Sequence, residues 1–158
     1  MKRILLLLLL STISSLTFAQ KALFDKYEDV NGVTTVYISK AMLRMMRNLP
    51  TGNRDISKIS GKLDRLQILD CERPSLIPGI RKTAISYFNR MKYEVVMQVR
   101  EGGENVIIYE KRYGNGKNEF VLLSSEKDEL SIINVFGNVS LKDIQSIAGG
   151  KYSANIIW

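Results

Sequence analysis

The alternation of apolar and polar positions predicts strands along much of the chain. Two runs rich in β-branched and apolar residues predict the first strands, at Val33–Ser39 and Leu63–Cys71. Period two then recurs in four successive runs, Tyr93–Arg100, Asn105–Tyr113, Glu119–Ser124 and Leu130–Phe136. Glycine-rich or charged turns separate these four runs, so their succession predicts an antiparallel meander.

Helical spacing predicts four further segments, Leu23–Asp29, Lys40–Asn48, Ser75–Met91 and Ser140–Ala148. The third is the longest, and Pro78 lies in its first turn, where a missing N–H costs little. The start of the last segment, Ser140 to Asp143, is typical of a capping box. Met42, Met45 and Met46 in the second segment are expected to pack into the core, because methionine commonly fills irregular gaps.

Together these elements predict an α+β fold. We expect a single antiparallel sheet of five or six strands, ending in the four-strand meander, with the helices packed on one face. The other face would then be solvated or bound to a partner.

The N-terminus has the three-part pattern of a secretory signal peptide. Lys2 and Arg3 precede an apolar run from Ile4 to Leu10, and small residues end at Ala19. The run is shorter than the roughly 20 residues of a membrane-spanning helix. We therefore predict a signal peptide at residues 1–19 and a single domain at residues 20–158, exported to the periplasm or, alternatively, beyond the cell.

The cysteine content and the net charge restrict the kinds of protein that this chain could be. Removing 19 of the 158 residues leaves 139, which suits one domain, and the sole cysteine, Cys71, excludes an internal disulfide. Its position also argues against a lipoprotein anchor. The formal charge falls from +7 to +5 without Lys2 and Arg3. This mild basic bias permits an anionic membrane surface as a partner but lacks the clusters typical of a nucleic-acid binder.

The sequence gives little support for a catalytic site. The chain has no histidine, which removes the commonest general base and metal ligand. We predict no catalytic residues, no metal site and no cofactor, and interpret Cys71 as structural. One alternative remains open, a hydrolase or lyase that uses paired carboxylates on envelope polymers. The candidate carboxylates are Asp25, Glu28, Asp29, Asp64, Asp70 and Glu72.

Basic residues gather between the second predicted helix and the second strand. They are Arg44, Arg47, Lys58, Lys62 and Arg65. A solvated surface is their ordinary interpretation, but a shared face would contact an anionic lipid or polymer. These five residues are the candidate binding face.

Three segments resemble a known family. They are Phe24–Tyr27, Gly32–Met42 and Ile133–Ile144, the last of which runs from a strand through Phe136-Gly137 into an acidic-capped helix. The chain resembles domain-of-unknown-function family 4252 over nearly all of residues 20–158. The resemblance implies a small exported envelope protein of Gram-negative bacteria, of a kind often encoded near extracytoplasmic sigma factors, with no assigned activity. Unlike lipid-anchored relatives, this chain has no cysteine at the cleavage site.

The function predicted from these features is binding without catalysis, to an envelope protein or a cell-surface component, with a link to envelope sensing. The carboxylate-dependent enzyme and an anionic membrane-surface binder are the alternatives. The sequence does not identify the ligand or the oligomeric state.

Overall fold

The computed structural model describes residues 21–46 and 59–147 of the chain. Within these ranges the strands are β1 (Val33–Ser39), β2 (Leu63–Cys71), β3 (Glu94–Glu101), β4 (Glu104–Arg112), β5 (Asn118–Ser125) and β6 (Leu130–Gly137). The helices are α1 (Lys21–Asp25), α2 (Lys40–Met46), α3 (Ile77–Arg90) and α4 (Leu141–Ile147). Residues 1–19, with the predicted signal peptide, lie outside the described residues, as do the predicted helix ends at 47–48 and 148.

The strand predictions from the sequence are confirmed. The bounds of β1 and β2 are those of the predicted segments, and the meander strands differ from theirs by one or two residues. The first helix is shorter than predicted, because the chain leaves helical geometry after Asp25 and continues as turns up to Asp29.

All six strands form one antiparallel sheet in the order β1-β2-β6-β5-β4-β3. After β2 the chain passes through α3 to the far edge, where β3 begins. The meander then returns strand by strand until β6 pairs with β2. The α+β class and the single antiparallel sheet are therefore confirmed, with β1 and β3 at the two edges of the sheet.

Helices α1 and α3 cover one face of the sheet. Ile80 and Phe88 of α3 are buried in a cluster with Leu23 of α1 and with Leu69 and Leu123 of the sheet. The Phe88 ring lies 5.3 Å from the ring of Tyr93 and 5.0 Å from that of Tyr109, centroid to centroid. This face holds the larger of the two buried clusters and fixes the position of α1 beside β1 and β2.

The opposite face is also covered, so the prediction that all helices pack on one face is wrong. Leu43 of α2 and Ile144 of α4 are fully buried in a second cluster, with Leu66, Phe120 and Val135 of the sheet. The physical reason lies in the central strands. Residues 106–110 of β4 and 119–123 of β5 are buried without interruption, so side chains of both faces must be shielded from water.

The methionines of α2 do not fill the core as predicted. Met42 is 46% exposed and Met45 is 66% exposed, whereas Leu43 is fully buried. Helix α2 has seven residues, and the residue that it buries against the sheet is Leu43.

The predicted capping box at the start of α4 is confirmed. The Ser140 backbone N–H donates to Asp143 Oδ2 at 2.9 Å, and the Asp143 N–H is 3.3 Å from Ser140 Oγ. Lys62 Nζ lies 2.7 Å from Asp143 Oδ1, which ties the start of α4 to the segment before β2. None of the helices in residues 21–46 and 59–147 combines the length and apolar character needed to cross a bilayer.

Candidate functional site

Polar side chains interrupt the apolar face beneath α1 and α3 near one end of the sheet. The strand register pairs Arg65 of β2 with Phe136 of β6, and Phe136 with Glu119 of β5. Directly paired residues of antiparallel strands point to the same face. The three side chains therefore stand in a row across the central strands.

Glu119, at the β5 end of this row, is the centre of a hydrogen-bond network. It is fully buried, and its Oε1 accepts hydrogen bonds from Arg65 Nη2 at 3.0 Å and from Asn134 Nδ2 at 2.7 Å. The Tyr113 hydroxyl donates to the other oxygen, Oε2, at 2.8 Å. We call Arg65, Tyr113, Glu119 and Asn134 the buried polar cluster. A buried carboxylate is tolerated when it has a cationic partner and several donors, and this one has both.

Aromatic rings and α3 close the cluster on its other sides. The Arg65 guanidinium lies 5.2 Å from the centroid of the Phe136 ring, within cation–π range. Burial raises the pKa of Tyr87 to about 12, and the negative charge of Glu119 adds to this shift. The Tyr87 hydroxyl in α3 therefore stays protonated at neutral pH.

A cavity opens next to the cluster, between α1, β1 and β2. Its volume is about 440 Å³, within the range of small-ligand pockets. Phe24, Asp25 and Glu28 line it from α1 and the turn that follows. The other walls are residues 35–37 of β1 and the side chains of Arg65 and Gln67 in β2. We call this space the edge cavity.

The floor of the edge cavity contains an unsatisfied hydrogen-bond acceptor. Gln67 is 6% exposed, and its Oε1 has no hydrogen-bond partner. Asn134, which is paired with Gln67 in the register, likewise has a buried Oδ1 without a partner. A buried polar atom without a partner costs about 1 to 3 kcal/mol. Both carboxamide oxygens are shielded from solvent, so these two residues are exceptions to the rule that buried polar atoms are hydrogen-bonded.

The mouth of the edge cavity is aromatic and acidic. The Tyr37 side chain, on the same face as Gln67, is 64% exposed. Glu28 is exposed at the other side of the opening. An exposed aromatic ring over a buried polar floor is typical of binding surfaces.

The structure does not bring the described members of the predicted basic face into one unpaired surface. Arg44 is exposed on α2, Lys62 is bound to Asp143, and Arg65 is bound to buried Glu119. Arg47 and Lys58 lie outside the described residues. Of the three that the structure describes, Arg65 lines the edge cavity.

The candidate carboxylates do not gather at one site, although four of them line two depressions as pairs. Asp64 is held by Lys40 at 2.6 Å and by Lys117, and these contacts keep its pKa below the ordinary value. Asp70 accepts a hydrogen bond from Ser131 at 2.6 Å and lies six residues from Asp64 along β2, about 20 Å away. The edge cavity contains Asp25 and Glu28, whereas Asp70 and Glu72 line a different depression. Asp29 is exposed in the turn before β1.

Neither Cys71 nor a metal-binding group of side chains adds a further candidate site among the described residues. Cys71 is fully buried, and its thiol donates to the carbonyl oxygen of Arg73 at 3.6 Å. Among residues 21–46 and 59–147, no group of three acidic, histidine or cysteine side chains is arranged to hold a metal ion.

Comparison with known families identifies the family to which the chain belongs. The family model described as a domain of unknown function, DUF4252, matches residues 27–147. The chain belongs to the DUF4252 family. The resemblance found in the sequence is thereby confirmed.

The DUF4252 match covers most of the edge cavity and all of the buried polar cluster. Glu28, residues 35–37, Arg65 and Gln67 fall inside the matched segment, and Phe24 and Asp25 lie just before it. The family description assigns no function to any of these residues.

Two other comparisons add no functional information to the DUF4252 assignment. A crystal structure of a protein of unknown function from Pseudomonas aeruginosa is 8% identical, with a TM-score of 0.36, over 83% of this chain and 87% of that one. Curated proteins gave no match.

Proposed function

We propose that this DUF4252 protein is a non-enzymatic binding protein of the bacterial cell envelope, and that the edge cavity is its binding site. The observation that carries the proposal is an open cavity with aromatic and acidic residues around it and, in its wall, Gln67, a buried polar residue whose carboxamide oxygen has no partner. A fold with nothing to bind there would gain stability from an apolar side chain at this position. The signal-peptide pattern of residues 1–19 supports export to the envelope.

The surroundings of the cavity favour binding over catalysis. The Arg65 guanidinium is committed to Glu119, and Glu119 has three donors around it. A general base needs access to its substrate, and Glu119 is fully buried. The cavity walls thus offer shape, an aromatic surface and hydrogen-bond acceptors, which are the features used for recognition.

The proposal is tested by nuclear magnetic resonance on the protein as the native host produces it. The host is grown on ¹⁵N medium, and the purified labelled protein is mixed with unlabelled envelope extract, so that only its own amides are observed. We expect shifted or broadened amide signals at residues 23–39 and 65–67. Unchanged signals there would contradict the proposal, even if other regions responded.

Helix α2 gives specific support to a second candidate, an anionic membrane surface. Met42 and Met45 are exposed on a helix that also exposes Arg44. Apolar side chains next to a cation are suited to the boundary between lipid headgroups and acyl chains. Two methionines and one arginine make a small contact, so we place this candidate second.

A further inference from the structure

The edge cavity adjoins a strand that can still accept a neighbour. Within the described part of the chain, β1 pairs with β2 on one side and with no strand on the other. The outer side of an edge strand presents main-chain N–H and C=O groups that can pair with another chain. Natural edges are often protected by lysine, proline or a bulge, whereas β1 (VTTVYIS) contains no charged residue or proline and pairs with β2 in continuous register.

The cavity extends to the main chain of this edge strand. Thr35, Val36 and Tyr37 are consecutive, and all three line it. Successive side chains of a strand point to opposite faces, so side chains on one face cannot account for all three contacts. A molecule that occupies the cavity would therefore also lie against the backbone of β1.

The chemistry of the cavity favours a cation. Asp25 and Glu28 contribute carboxylates, and the polar side chain of Gln67 lines the same space. The positive charge in the wall, on Arg65, is balanced by buried Glu119. The cavity is thus acidic in a chain of formal charge +7. The rings of Phe24 and Tyr37 can supply cation–π attraction to a positively charged group.

We propose that an extended segment of a partner protein pairs with β1 as an added strand and places a lysine or arginine side chain in the edge cavity. This inference rests on the proposed function and names the chemistry of its ligand. Strand addition would satisfy the outer main-chain groups of β1, and the alternate side chains of the added strand would provide specificity.

The geometry of strand pairing permits this placement. An added strand would run about 5 Å from β1 and therefore about 10 Å from β2, which carries Gln67. A long basic side chain opposite Tyr37 would point to the cavity face. Its stem could pass along the Tyr37 ring while its charged end entered the edge cavity.

Synthetic peptides test the inference directly. Seven-residue peptides, capped at both ends and alternating threonine and valine, carry lysine, norleucine or glutamate at the central position. They are titrated into the ¹⁵N-labelled protein purified from the native host. We expect the lysine peptide to shift amides of β1 and the side-chain amide of Gln67. The norleucine peptide should bind about tenfold more weakly or worse, because it has no charged group to donate hydrogen bonds to the cavity carboxylates.

Two variants separate cavity recognition from general charge attraction. Glu28→Gln removes a carboxylate at the cavity and should weaken binding of the lysine peptide by roughly two- to fivefold, with little effect on norleucine. Glu129→Gln removes an equal charge from the exposed β5–β6 turn and should leave binding unchanged.

The outcomes distinguish this inference from the proposed function. Equal binding of the lysine and norleucine peptides, or shifts confined to the other edge strand, β3, would overturn the inference. If no peptide bound while envelope extract still shifted residues 23–39 and 65–67, the binding function would stand and the basic strand would be rejected. If neither experiment gave a response at the cavity, both proposals would fail.

Discussion

Arg65 and Glu119, 54 positions apart in the chain, form an ion pair in which Nη2 lies 3.0 Å from Oε1. The carboxylate is fully buried, and the arginine side chain is 23% exposed. The pair joins β2 to β5 across β6, and Arg65 also lines the edge cavity.

Loss of the arginine should be costly because it leaves the carboxylate buried without its cation. We predict that Arg65→Met destabilises the protein by about 2 kcal/mol, less than for a fully buried pair because the arginine is partly exposed. Methionine retains an apolar contact with Phe136. Urea unfolding followed by circular dichroism measures the change.

A double-mutant cycle isolates the contribution of the pair. Glu119→Gln removes the charge and keeps one acceptor oxygen, which can serve Asn134, while its NH2 group can donate to the Tyr113 hydroxyl. We expect the double variant, Arg65→Met with Glu119→Gln, to be more stable than the sum of the single effects predicts, by about 1 kcal/mol. Strictly additive effects would show that the two charges do not interact.

Gly137 is required because the backbone before β2 passes directly over it. A β-carbon at this position would overlap the carbonyl oxygen of Lys62 and lie 2.9 Å from the Cα of Leu63. Gly137→Ala should therefore destabilise the fold by about 1 to 3 kcal/mol, because backbone atoms must move. The matched control is Gly114→Ala, since a β-carbon there meets no atom within 4 Å. Equal stability of the two variants would contradict this explanation.

The cap of α4 should make stability depend on pH in acid. The hydrogen bond from Lys62, helped by Ser140, lowers the pKa of Asp143 from 3.8 to about 2. A carboxyl group whose pKa is lowered by folding stabilises the native state above its unfolded pKa, and this contribution disappears as pH falls through the folded value. Asp143→Asn should therefore be less stable than the unmodified protein at pH 7, and the difference should shrink between pH 3.8 and about 2.

Equilibrium unfolding at a series of pH values measures this difference. Asp128→Asn, in the exposed β5–β6 turn, is the control for a general charge effect. A constant gap between the Asp143→Asn variant and the unmodified protein across this range would count against the Lys62–Asp143 contact.

The membrane candidate gives its own prediction at α2. Met42→Ser combined with Met45→Ser should reduce sedimentation of the protein with anionic phospholipid vesicles, and Arg44→Gln should reduce it further. Added salt should weaken the contact, because exposed charges are screened. Equal binding to neutral vesicles, or no effect of the three substitutions, would reject this candidate.

The sheet could be predicted from the sequence because its signals are local. In β1 and β2, β-branched and apolar residues alternate within a few positions, and tight turns punctuate the meander. The two-sided covering of the sheet was not predictable in the same way. Leu43 is the buried residue of α2, and Ile144 is the buried one among residues 141–144 of α4, so these short segments show no clear apolar stripe.

The candidate site was largely missed because its parts meet through strand register. Arg65 was predicted to belong to a solvated basic face, and its partner Glu119 lies three strands later in the chain. One sequence signal could have pointed to the site. Gln67, Glu119 and Asn134 are polar residues at core-facing positions of otherwise apolar strands. Polar side chains at such positions either form an internal hydrogen-bond network or bind a ligand. Glu119 and Asn134 belong to such a network, and we propose that Gln67 belongs to a binding site.

A substitution at Gln67 should affect the stability of the fold and its proposed binding function in different ways. Its unpartnered oxygen is a cost to the folded state, so Gln67→Leu should leave the free energy of unfolding unchanged or raise it by up to about 1 kcal/mol. The same change should abolish binding in the edge cavity. A marked loss of stability would show that the carboxamide has a structural role.

The most direct test of the edge cavity as a binding site is photo-cross-linking in the native host. A photoreactive phenylalanine analogue replaces Tyr37 at the cavity mouth, or Asp128 in the distant β5–β6 turn, in the unmodified and the Gln67→Leu backgrounds. We predict a discrete cross-linked product from position 37 that is absent from position 128 and lost with Gln67→Leu. No product from position 37, or the same products from both positions in both backgrounds, would contradict the account.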